Sequence, residues 1–221
     1  MAARPADAKP LIVVDKSTVP VGTSAKVTAA IKARTDKAFE VAQKHGGEKL
    51  LHPDPTGNMA KDDALSLCMP VGIPRSITGP FAQQWIQTPT QIAVLYEWFR
   101  TWRQIPLDGR PHRQDMEPTF YGDPVGHWEG DTLVIDTIGL NTKTPVDRFG
   151  TPHSDKLHVV ERWRVVDQGL TLRVDVTVDD PETFYQPWKT YQVYRRSSRS
   201  LAAEICAENN QQFEYCERSY D

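Results

Sequence analysis

LHVVERWRVVDQGLTLRVDVTV, residues 157–178, is the stretch whose reading decides the fold. Two β-rich runs flank Asp167-Gln168-Gly169, three residues suited to reversing the chain, and the pattern predicts a hairpin. In the second run Leu170, Leu172, Val174, Val176 and Val178 alternate with Thr171, Arg173, Asp175 and Thr177. A strand repeats every second residue, so the first set faces a core and the second faces water. In the first run the same parity gathers Leu157, Val159, Trp163 and Val165, with Glu161 among them. A carboxylate on a core-facing position is costly unless it is paired, protonated or open to a polar cavity. Glu161 therefore needs an arginine such as Arg103 or Arg110, or a pocket.

Outward from this hairpin, proline and glycine punctuate the chain every ten residues or so from residue 62. The runs between them read as strands: 91–99 (QIAVLYEWF), 131–138 (DTLVIDTI), 189–196 (KTYQVYRR) and 201–206 (LAAEIC). No amphipathic helix lies between them, which argues against a parallel βαβ arrangement. The expected fold is mainly β: an antiparallel meander curled into a barrel or half-barrel of lipocalin-like type. Such barrels hold small ligands in their mouths.

The chain has 221 residues, enough for one domain at 62–221 with an N-terminal appendage at 1–61. With 39% hydrophobic and 25% charged residues, the composition is that of a soluble globular protein. A net charge of −3 without a basic run gives no basis for a nucleic-acid partner. No apolar run reaches the ~18 residues of a membrane span. The N-terminus MAARPADAKP lacks the apolar centre of a secretion signal, so the expected location is cytoplasmic. Three cysteines, Cys68, Cys206 and Cys216, include no CxxC pair. A disulfide, with Cys68–Cys206 as the candidate pair, requires an oxidising compartment.

Within the appendage, LIVV (11–14) reads as a buried strand. Ser24 can cap a helix running from about 25 to 45, which Gly46-Gly47 ends. The string KSTVPVGT (16–23) resembles a segment of the UDP-glucose dehydrogenase family, over about 25 residues. That resemblance would imply NAD-linked oxidation. The chain has no GxGxxG to seat a pyrophosphate and no glycine-rich segment around a cysteine nucleophile, so the piece reads as a remnant, joined between Ala33 and Asp62.

Residues 62–210 resemble a widespread bacterial family of mostly uncharacterised, usually exported proteins. The resemblance rests on CMPVGIPR (68–75), IQTP (86–89), RQIPLDGRPH (103–112), VGHWEGDTLVIDTIGLN (125–141), GTPHSDKLHVVERW (150–163), DDPETFYQPW (179–188) and CAENN (206–210). It implies export for typical members and brings no activity with it.

Polar residues concentrate between 108 and 162, and of the three functions that compete for them small-molecule hydrolysis is the one expected, with ligand binding and protein docking as alternatives. In acid–base hydrolysis of a carboxyl or phosphate ester, His153 serves as base. Asp136, Asp155 or Glu161 orients it, and Arg110 or Asn141 stabilises the developing anion. Asp108, His127, Trp128 and Trp163 complete the substrate-binding set. A divalent metal held by His112, His127, His153 and His158 is a weaker variant, because the spacing matches no ligand signature; the expectation is no cofactor. The second function is non-catalytic binding of a small apolar molecule against the tryptophans. The third is protein docking through Trp98, Trp102 and Arg103, which predicts an exposed aromatic patch.

Overall fold

Antiparallel hairpins build the structure, as the alternation requires. The computed structural model describes residues 11–14, 68–79, 81–147, 150–202 and 205, with 11–14 described by backbone alone. Among these the strands are β1 (Leu11–Val14), β2 (Gln83–Gln87), β3 (Gln91–Tyr96), β4 (Trp102–Pro106), β5 (Asp123–Glu129), β6 (Thr132–Ile138), β7 (His158–Val166), β8 (Thr171–Asp179) and β9 (Trp188–Arg196). A single helical turn, α1 (Arg75–Thr78), precedes β2. The expected helix at about 25–45, the junction between Ala33 and Asp62, and Cys206 lie outside the described residues.

All strands join one sheet in the order β4-β3-β2-β1-β9-β8-β7-β6-β5. Every ladder is antiparallel. The LIVV strand does not stand apart. It pairs with β2 on one side (Leu11↔Trp85) and with β9 on the other (Val13↔Arg196), so this part of the expected appendage belongs to the sheet.

The 157–178 hairpin forms with its turn at Asp167-Gln168-Gly169, all three at positive φ (50°, 56° and 93°). Leu172, Val174, Val176 and Val178 are buried as the parity demands. Leu170 departs from it: it sits in the turn and is 64% exposed. Three strands were not expected from the sequence, β2, β4 and β5. Each carries polar or proline residues that blur the period-two signal. The run at 91–99 is cut at Tyr96, where Trp98–Arg100 turns as a 3-10 segment. Residues 201 and 202, where a further strand was expected, have no regular structure.

The hydrogen-bonded ladder does not close, since no ladder joins the end strands β4 and β5. They nevertheless meet. A Cβ placed on Gly126 of β5 would lie 2.8 Å from the Ile105 side chain and 2.8 Å from that of Leu107. Glycine is what allows this approach. We expect Gly126→Val to push β4 from β5 and cost roughly 1–3 kcal/mol of stability, read as a lower urea midpoint; an unchanged midpoint would show that the contact does not constrain the fold.

Candidate functional site

The inner face of the sheet is apolar at most positions, with a polar group at its centre. Glu161 of β7 is fully buried, and Arg103 of β4 is 2% exposed. Arg103 Nη1 donates to Glu161 Oε1 at 2.6 Å, and Nη2 donates to Thr137 Oγ1 on β6 at 2.5 Å. The second carboxylate oxygen accepts the indole N–H of Trp163 at 2.8 Å. Glu161 thus takes the first of the partners its sequence position called for. Tyr96 lies beside this pair, and burial pushes its phenol well above the ordinary range.

Next to Trp163 lies a cavity of about 80 Å³. Trp85, Trp128 and Trp163 line it, with Ile92, Leu133 and Leu172, and Gln87, Asp131, Arg164 and Val165 complete its wall. The rings of Trp85 and Trp163 are 4.6 Å apart at 58°. Trp85 donates its indole N–H to Gln83 Oε1 at 3.3 Å. Both inner indoles have therefore spent their donors on protein groups, and what lines the cavity is ring surface and aliphatic carbon.

A second polar group occupies the outer face. His112 comes from the loop between β4 and β5, Asp136 from β6 and His158 from the start of β7. His112 Nε2 and His158 Nε2 each lie 2.9 Å from Asp136 Oδ1. His112 Nδ1 faces Asp123 Oδ2 at 3.3 Å. Asp123 is fully buried and also accepts Arg110 Nη2 at 2.8 Å, Arg113 Nε at 3.0 Å and the Arg113 backbone N–H at 2.8 Å. Burial pushes the Asp123 carboxyl up, but the hydrogen bonds from Arg110 and Arg113 outweigh it and hold the group down at about 2. Burial likewise raises Asp136, and the hydrogen bonds from His158 and His112 reverse this to a net lowering. The bond to Asp136 lifts His158 above its ordinary value, against the opposing pull of burial.

The residues expected to form one hydrolytic site are not brought together. Glu161 and Asp136 lie on neighbouring strands but point to opposite faces, because Glu161 pairs with Ile135 and Asp136 with Val160 in the β6–β7 ladder. His153 is buried, held through Nδ1 to the Ser154 carbonyl at 2.8 Å, and its burial lowers its pKa. Its neighbour Ser154 is fastened to Asp180, whose carboxylate accepts the Ser154 N–H at 2.6 Å and its hydroxyl at 2.7 Å. Asp155 is exposed beside Lys156, His127 pairs with Glu129 on the surface, and Asp108 and Asn141 accept nearby backbone N–H groups. Arg110 is engaged by Asp123. Trp128 and Trp163 do converge, at the cavity.

Of the four candidate metal ligands only His112 and His158 meet. Among the described residues no group of three His, Cys, Asp or Glu side chains is placed to hold a metal ion. The docking patch is also divided: Trp98 and Arg103 are buried, and Trp102 alone is 62% exposed. Trp85, one of the six tryptophans that could line an apolar cavity, does so, whereas sequence reasoning missed Asp123 and Asp180 as organising residues. Asp180 carries a legible signal, since DDPET is a turn-forming string in which an aspartate accepts backbone N–H groups two and three residues on. Cys68 is disulfide-bonded.

Comparison with known protein families and with curated proteins finds no match. Among solved structures, a crystal structure of a variant of the fluorescent protein UnaG aligns at a TM-score of 0.32 and 13% identity, covering 62% of this chain and 87% of that one. Likeness at that level does not bear on function. Among the described residues no helix is long and apolar enough to cross a membrane.

Two outcomes follow from the two polar groups. Removing one member of a buried ion pair strands the other, so Arg103→Leu is expected to cost about 3–5 kcal/mol. Arg103→Leu combined with Glu161→Leu should cost less than Arg103→Leu alone, as read from denaturant titrations. For the outer group, the raised pKa of His158 means its contribution is present in full below its unfolded value and fades as pH rises through the folded one. The lowered pKa of Asp136 means its contribution fades only as pH falls through its depressed value. The stability gap between the native protein and His158→Gln should therefore be wider near pH 5 than at about pH 9; a gap independent of pH would refute the pairing.

Proposed function

We propose that the protein binds a small, largely apolar molecule in the tryptophan-lined cavity, without transforming it. The observation that carries this reading is the cavity wall itself, three indoles and three buried or half-buried aliphatic residues. Their hydrogen-bonding groups are already satisfied where they are deepest. A concave apolar site with few polar groups is the usual form of a small-molecule pocket.

Ester or phosphoester hydrolysis has less support. No histidine lines the cavity, and Glu161 beneath it is engaged by Arg103 and Trp163. A curled sheet whose end strands meet beside Gly126 gives such a cavity a lipocalin-like setting. The disulfide at Cys68 supports residence in an oxidising compartment over the cytoplasm.

The test is titration with indole, toluene and cyclohexanol, followed by NMR of the tryptophan side-chain N–H signals. We expect the Trp85 and Trp163 signals to move, and Trp128→Ala to weaken binding by about three- to tenfold. No shift with any of the three would sink the reading. Turnover of chromogenic esters that His158→Ala abolishes would instead place hydrolysis at the outer-face group.

A further inference from the structure

We propose that the outer face of β2, β3 and β4 is a docking surface for this chain's own segment at about residues 25–45, seated there as an amphipathic helix. The first observation is how charge is divided over the outside of the sheet. Along β3 and β4 the inward residues Ile92, Val94, Tyr96, Arg103 and Ile105 are buried, so the residues between them face out. With β2, the register sets these outward residues in two rows, Gln84–Leu95–Trp102 and Ile86–Ala93–Gln104. None of the six is charged, while Trp102 is 62% and Ile86 39% exposed. Each of β5 to β9, by contrast, carries a charged residue on its outer face: Glu129, Asp136, Arg162, Asp175 and Lys189. A sheet face left to water is ordinarily polar. Here a tryptophan, a leucine and an isoleucine stand among neutral side chains.

The second observation is where the chain leaves and returns. β1 runs from Leu11, opposite Trp85, to Val13, opposite Gln83, so the chain leaves it at the Gln83 end of β2. The described chain resumes at Cys68 and leads into α1, where the Ser76 carbonyl accepts a hydrogen bond from the Gln83 side-chain amide. Residues 15–67 are thus carried out from, and led back to, the Gln83 end of β2. Of the two rows, the one holding Trp102 lies nearer that end.

The third is the sequence of the segment. At the helical period, Val27, Ala30, Ile31, Ala38, Val41 and Ala42 fall in one stripe about 120° wide. Lys32, Asp36 and Glu40 fall on the opposite side. Arg34 lies within the stripe; its stem is apolar, and its guanidinium suits the face of an exposed indole such as Trp102. A helix of about 20 residues is roughly 30 Å long, ample to cross three strands.

Size decides between this occupant and a second copy of the chain. Three strands and two rows make a face of roughly 200 Å². A partner arriving from solution needs about 800 Å² on each side to form a stable complex. A segment tethered at both ends is held near the face at an effective concentration of about millimolar and pays little of the cost of association.

The experiment uses the full chain with a photo-reactive benzoylphenylalanine in place of Trp102, and identifies the crosslinked peptide by mass spectrometry. Crosslinks are expected to residues 25–45 of the same molecule. A mixture of isotopically light and heavy protein separates the cases. Mixed-mass crosslinks would show a second copy on the face and overturn the proposal, and so would the absence of any crosslink to 25–45. Urea titration gives the second measurement. Ile31→Asp and Trp102→Ser should each lower the midpoint, and Asp36→Asn, on the far side of the stripe, should not. Together, Ile31→Asp and Trp102→Ser should cost less than the sum of the two, by roughly two- to tenfold in the unfolding equilibrium constant. Strict additivity would overturn the contact.

Discussion

The buried contact between Arg103 and Glu161 is the constraint around which the rest of this molecule is arranged. The two charges come from β4 and β7, far apart in the strand order, and they meet only because the sheet curls until its ends touch. No ladder joins β4 to β5, so side chains do there what backbone hydrogen bonds do elsewhere. Arg103 reaches both Glu161 and Thr137, tying the first edge of the sheet to the strands near the other edge. Charges removed from water are tolerated only when closely paired and hydrogen-bonded. Partial closure of the sheet and satisfaction of the pair are therefore one requirement.

The pair also shapes the cavity. By accepting the Trp163 N–H, Glu161 fixes the indole that forms part of the wall, and Trp85 stacks at a tilt against that ring. An ion pair that could have been a catalytic group is instead the foundation of an aromatic surface. On the opposite face, His112, Asp136 and His158 tie the long loop after β4 to β6 and β7, with Asp123 and its two arginines anchoring the loop from below. The two polar groups are separated by the thickness of the sheet and do not combine into one site.

Much of the fold was legible in particular residues. The alternation from Leu172 to Val178 set both the strand and its buried face, and Asp167-Gln168-Gly169 set the turn. Glu161 announced itself as a core-facing carboxylate in need of an arginine or a pocket, and Arg103, the partner it takes, was among the candidates named. The strands that escaped notice, β2, β4 and β5, have polar inward residues such as Gln83 and Arg103, or a glycine at the close approach, and so break the apolar repeat. The candidate site was less legible. Density of histidine and carboxylate along the chain says nothing about which face of the sheet each occupies, and a one-residue difference in register sends Glu161 inward and Asp136 outward.

What the sequence determined by itself was local: that the most regular runs become strands, which side of the clearest one is buried, where the sharpest turn falls, and that one core-facing carboxylate needs an arginine or a pocket. These follow from backbone sterics and from the cost of burying charge, and neither needs distant partners to be known. What only the tertiary structure decided was who those partners are. LIVV reads as a strand on its own residues, but its place between β2 and β9 is set by edges lying some seventy and more than a hundred and eighty residues away. Any of the six tryptophans could line a cavity or fill a core on sequence alone, and it is the curvature of the sheet that brings Trp85, Trp128 and Trp163 around one space. Pairing, curvature and cavities depend on contacts between segments remote in sequence, and the local pattern of side chains constrains them only weakly.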